Sequence, residues 1–106
     1  MKRYRFLREA LDEYEEAITY YERRRAGLGE TFVRDVDRVI ALTLEFPEMG
    51  APVMNTPPDL SVRRQLVRRF GVELDYLVSD NVIVVLAVFH GKRRPGYWKE
   101  RLERLR

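Results

Sequence analysis

From Arg8 to Ala26, apolar residues return at every third or fourth position, with Leu11, Tyr14, Ile18 and Tyr21 in one stripe and Ala10 and Ala17 on its flanks. This period predicts an amphipathic helix, because 3.6 residues per turn bring such positions to one side. Gly27-Leu28-Gly29 ends it, since glycine readily takes the left-handed conformation that closes a helix. A second helix is predicted from about Glu30 to Phe46, with Phe32, Val36, Val39, Ile40 and Thr43 along one face and Pro47 as its stop. The link between them is short, so the two helices should form an antiparallel hairpin.

The rest of the chain follows a period of two. Met1 to Leu7 sets Tyr4 and Phe6 against Arg3 and Arg5, which predicts a strand. Pro47 to about Ser61 is rich in turn formers, among them Gly50, Pro52, Asn55, Pro57, Pro58 and Asp59, and reads as a long surface excursion. Three strands are then predicted: an Arg-rich one from Val62 to Phe70, Val72 to Val78, and Val82 to Phe89. The second places Glu73 and Asp75 opposite Val72, Leu74, Tyr76 and Val78, and Ser79-Asp80-Asn81 supplies the hairpin turn after it. The third is almost wholly apolar, as a strand covered on both faces should be. After Pro95 there is room for a short helix carrying Leu102 and Leu105. The expected fold is one α+β domain over residues 1–106, ordered β-α-α-β-β-β. A helical hairpin should pack on a mainly antiparallel sheet of about four strands, leaving the other sheet face and the basic tail to meet a partner.

Composition narrows the chemistry. An apolar fraction of 45% is ordinary for a globular chain, so disorder is a poor reading. The lack of cysteine excludes a disulfide framework and a thiolate metal site. A single histidine, His90, argues against a multi-histidine metal centre, although carboxylates could still hold a hard cation. Val82–Phe89 is too short to cross a bilayer, which takes about 20 residues, and charges at Arg3, Arg5, Arg8, Glu9 and Asp12 interrupt any leader-like start. The expectation is a small soluble cytoplasmic protein. Net charge is only +3, but arginine outnumbers lysine 17 to 3 and gathers at Arg63, Arg64, Arg68 and Arg69 and again from Gly91 onward. Arginine favours bidentate contact with carboxylate or phosphate, so these clusters suggest a basic surface facing an anionic partner.

One run after the last strand combines several kinds of chemistry: His90-Gly91-Lys92-Arg93-Arg94-Pro95-Gly96-Tyr97-Trp98. An imidazole, cations and two aromatics are the means to clamp a phosphate and stack a base. They also suit an RNA cleavage that needs a general acid and charge stabilisation. The same residues admit a structural use, with Tyr97 and Trp98 pinning the tail to the core. No Gly-rich phosphate loop, nucleophile elbow or specific carboxylate pair is visible, and the acids of the first helix read as a solvated face.

In their order and spacing, further residues resemble the RelE/ParE superfamily of toxins from bacterial type II toxin–antitoxin modules. They are Glu16-Ala17, Tyr20-Tyr21-Glu22, Gly27-Leu28-Gly29, Phe32, Pro47, Arg63-Arg64, Arg69-Phe70, Tyr76, Val85 to His90, Arg93, Pro95 and Trp98. The resemblance implies a cytoplasmic toxin neutralised by a cognate antitoxin in a hetero-oligomer, with no cofactor, metal or membrane. RelE-like members cleave mRNA on the ribosome by attack of the ribose 2′-hydroxyl, whereas ParE-like members act on DNA gyrase and lack the nuclease residues. On the RelE-like reading, Arg93, His90, Tyr97, Arg64 and Arg68 would be the catalytic set. On either reading, Arg63, Arg69, Lys92, Arg94 and Trp98 would contact the target or nucleic acid. The RelE-like pattern Gly-aromatic-Arg is replaced here by Gly71-Val72-Glu73. An acid at that place repels RNA phosphate, so the resemblance leans to the ParE and plasmid-stabilisation branch, ahead of the ribonuclease and of an inactive homologue that only binds its partner. An antitoxin segment that folds on binding should occupy an apolar patch rimmed by arginine.

Overall fold

The computed structural model describes residues 3–105. Met1 and Lys2 of the expected first strand, and Arg106 of the basic tail, lie outside them. The elements are β1 (Arg3–Phe6), α1 (Arg8–Arg24), α2 (Leu28–Glu45), β2 (Ala51–Pro52), β3 (Ser61–Val67), β4 (Val72–Ser79) and β5 (Val82–His90), followed by a 3₁₀ segment at Lys99–Leu105.

The α1/α2 hairpin forms as its apolar period requires, and Phe32, Val36, Ile40 and Thr43 are buried. Tyr21 and Phe70 close around Phe32 at ring separations of 5.0 Å each, and Tyr14 joins Phe32 to Phe6. α2 starts at Leu28, two residues earlier than its sequence suggests. The reason is that α1 supplies the missing cap. Gly27 turns through a φ of +88°, and the backbone N–H groups of Gly27 and Gly29 donate to the Glu22 carboxylate at 3.0–3.1 Å, answering donors that a helix start leaves open.

The sheet runs β1-β5-β4-β3-β2, with β1 parallel to β5 and every other pair antiparallel. The α+β expectation therefore holds, with five strands rather than about four. The extra strand lies inside the turn-rich stretch, where Ala51 and Pro52 pair with Arg64 and Arg63. Pro52 has no N–H to donate, so this strand suits a sheet edge. β3 stops at Val67, and Arg68–Phe70 form a 3₁₀ turn into Gly71. β5 is covered on both faces, and Ile83 to Phe89 are all buried.

The segment from Pro47 to Gly50 is fastened to the sheet. Tyr76 donates its hydroxyl to the Pro47 carbonyl at 2.9 Å, and Arg63 Nη1 donates to the Glu48 and Gly50 carbonyls at 2.9 and 2.8 Å. A methyl group on Gly50 would collide with the Tyr76 hydroxyl and stand 2.6 Å from the Arg64 carbonyl oxygen. Gly50→Ala is therefore expected to lower stability by about 1–3 kcal/mol, read as an earlier denaturant midpoint. An unchanged midpoint would mean that the segment moves aside freely.

Candidate functional site

The sheet face turned away from the helices is not left open. The tail folds back over it, burying Trp98 (1% exposed) and Leu102. Trp98 thus pins the tail to the core, the structural use that its run of residues admits, and reaches the surface only as part of a cleft lining.

Between the tail and β2 a cleft of about 310 Å³ remains, lined by Met54 and Asn55, Arg64 of β3, Glu73 of β4, Phe89 of β5, Arg93, Trp98 and Lys99, among others. Lys99 is tethered to its rim, donating to the Met54 carbonyl at 3.0 Å. At the base of the cleft, Arg64 Nε stands 3.1 Å from Glu73 Oε2 and 3.9 Å from Asp75 Oδ1. Asp75 does not join a solvated strand face as its alternation suggests: it is fully buried, and neither carboxylate oxygen makes a hydrogen bond of good geometry. Burial pushes its pKa far above the carboxylate range. The neighbouring Glu73 carboxyl adds to the rise, which Arg64 and the Trp98 indole offset only in part. Burial thus favours the protonated, uncharged form of Asp75.

Arg93 stands between this cleft and a second hollow, of about 290 Å³, where α1 meets the end of β5. Ala17, Tyr20, Tyr21, Val72, Val88 and Phe89 form much of its surface, and His90, Glu13, Glu16 and Arg93 complete it. The hollow is thus largely apolar with one arginine at its edge, although acids share its rim. The Arg93 guanidinium lies 3.9 Å from the centre of the Tyr97 ring, close enough for a cation–π contact.

The Tyr97 hydroxyl is already engaged. It donates to Glu13 Oε2 at 2.6 Å, and burial followed by the Glu13 charge raises its pKa strongly. Glu13 also accepts the Val88 N–H at 3.0 Å and a two-pronged contact from Arg101 at 3.0 and 2.9 Å, while Arg101 donates to the Leu86 carbonyl at 2.8 Å. Burial would raise the Glu13 pKa, but the hydrogen bonds from Arg101, Tyr97 and Val88 outweigh it and leave it lowered. Glu13 is thus no part of a solvated face. Ala10, Glu13 and Ala17 fall at spacings of three and four, the one sequence signal that marks it as half-buried.

Of the residues singled out from sequence, the fold brings Arg64 and Arg93 to one cleft, and His90 and Arg93 to the other hollow. Tyr97 touches Arg93 but faces Glu13. Arg63 is engaged with backbone carbonyls, Arg68 is exposed on the turn after β3, and Arg69 reaches Asp35 of α2 at 3.4 Å. Lys92 and Arg94 are exposed in the turn after β5. Asp75, Glu13 and Arg101 are the residues that sequence reasoning missed.

A family model described as the ParE toxin of the type II toxin–antitoxin system, parDE, matches residues 4–95. Among solved structures, the fold is similar to a chromosomal ParDE toxin–antitoxin system from P. aeruginosa, with a TM-score of 0.68 and 16% identity over 85% of this chain and 95% of that one. It is also similar to the isolated E. coli RelE toxin, with a TM-score of 0.63 and 24% identity over all of both chains. At these identities the two structures speak for the fold alone. No curated protein sequence matches the chain.

Proposed function

The chain belongs to the ParE toxin family of type II toxin–antitoxin systems, and on that footing we propose that it is a binding toxin directed at DNA gyrase. In this reading it works in the cytoplasm without a cofactor and is held inactive by its cognate antitoxin. The observation that carries the choice of target is the acid pair at the base of the cleft. Arg64, a cation lining that cleft, already faces Glu73 and the buried Asp75 behind it, so an entering phosphate would meet the Glu73 carboxylate as well as the guanidinium. Tyr97, the other candidate for RNA chemistry, gives its hydroxyl to Glu13. A proton donor needs a pKa near the working pH, and this one is moved away from it.

The ribonuclease remains the second reading because Arg64 and Arg93 share one cleft. Expression without antitoxin separates the two. The expected outcome is an early DNA-damage response while protein synthesis continues. Immediate arrest of translation with cut mRNA, abolished by Arg93→Ala, would establish the ribonuclease instead. Normal growth at strong expression would point to an inactive homologue.

A further inference from the structure

The end of α2 carries apolar side chains outward. Leu42, Phe46 and Met49 are 41%, 51% and 52% exposed, and their spacing of four and three continues one stripe beyond the helix end. Phe46 and Met49 line a shallow hollow with Glu45, Pro47 and Glu48, and no basic residue is among them. None of these side chains is needed for the core, which α2 serves through Phe32, Val36, Ile40 and Thr43 on its other side.

Two properties set this patch apart from stray surface residues. First, it is rigid. The Tyr76 hydroxyl and the Arg63 guanidinium hold the Pro47, Glu48 and Gly50 carbonyls from the sheet side, and the Met49 N–H donates to the Phe46 carbonyl at 3.0 Å. A partner would have little backbone left to order. Second, its charge runs against the helix. A helix C-terminus is the negative end of the backbone dipole, where lysine or arginine is favourable. The last turn of α2 has no basic residue and carries Glu45 instead, followed by Glu48. An incoming cation would answer both carboxylates and the helix end.

We propose that this patch is a docking surface for a cationic amphipathic segment of a partner protein. Its apolar side chains would lie on Leu42, Phe46 and Met49, and its lysines or arginines beside Glu45 and Glu48. The surface shares no lining residue with the two hollows of the candidate site, so it is a second contact independent of the cleft. A second copy of the chain is a poorer occupant, because a two-fold contact would set Glu45 and Glu48 against their own kind.

The test uses two synthetic helical peptides of about four turns, one of leucine and lysine and one of leucine and glutamate, followed by fluorescence anisotropy and by amide shifts of the full chain. The leucine–lysine peptide should bind, with shifts centred on residues 42–49, and the leucine–glutamate peptide should not. Phe46→Ser should weaken binding about tenfold or more. Glu45→Lys together with Glu48→Lys should reverse the preference between peptides, which keeps the proposal testable if the serine variant folds poorly. It is overturned if the lysine peptide does not bind, if it binds these variants unchanged, or if the shifts fall on the acidic face of α1 around Asp12, Glu15 and Glu16. A chain that sediments as a dimer and becomes monomeric on Phe46→Ser would also overturn it, by making a second copy the occupant.

Discussion

Glu13→Ala is expected to cost about 3–5 kcal/mol of folding stability, a large share of what a small domain possesses. Both ends of the Glu13–Arg101 pair are largely shielded, with side-chain exposures of 13% and 14%. Truncating the acid strands the Arg101 guanidinium and frees the Val88 N–H and the Tyr97 hydroxyl at once. The consequence reaches beyond stability, because this one carboxylate ties α1, β5 and the tail together. Tyr97→Phe removes a single hydrogen bond and should cost only about 1–2 kcal/mol. The pH dependence has a definite sign. The folded-state pKa of Glu13 lies below its unfolded value, so its contribution is present above the ordinary carboxylate range and is lost as pH falls through the lowered value. Denaturant melts of both variants across acid pH check this. A Glu13→Ala midpoint equal to wild type at pH 7 would refute the network's role.

Asp75→Asn should stabilise the protein, and increasingly so as pH rises. The folded Asp75 titrates at about 8 against 3.8 for the free side chain. Between those values the folded state holds a proton that the unfolded state has released, so stability falls with each step upward in pH and levels off above about 8. Asparagine resembles the protonated acid in shape and never ionises, which removes the slope. The gain over wild type should be small near pH 4 and on the order of a few kcal/mol by pH 8. Melts at a series of pH values read it directly. A variant that is less stable than wild type at pH 8 would mean that Asp75 is ionised and well paired, contrary to its burial without hydrogen-bonded oxygens.

The helical hairpin and the strands were legible because each buries a local face, and a local face leaves a period in the sequence. Phe32, Val36, Ile40 and Thr43 follow that rule. The tail does not. Trp98 and Leu102 are buried by folding back on a sheet face completed elsewhere in the chain; residue type allowed Tyr97 and Trp98 to pin the tail, but without periodicity nothing said which face receives them. Asp75 fails for the same reason: alternation places it opposite Leu74 and Tyr76, and only the returning tail turns that face into an interior. Arg101 lies 88 residues from Glu13, a separation over which no spacing rule reports. Of the candidate site, the cation at Arg93 and the acid at Glu73 could be read in advance, because each depended on residue type at one position. The commitment of the Tyr97 hydroxyl could not, because it depends on a distant partner.

The proposed activity is inhibition of gyrase by binding, without cutting of RNA. Its most direct test is to titrate the purified protein into a supercoiling reaction of gyrase, relaxed plasmid and ATP. Supercoiling should be lost as the protein approaches equivalence with the enzyme, with plasmid trapped in cleaved form. Full supercoiling in the presence of a clear excess of folded protein would contradict it.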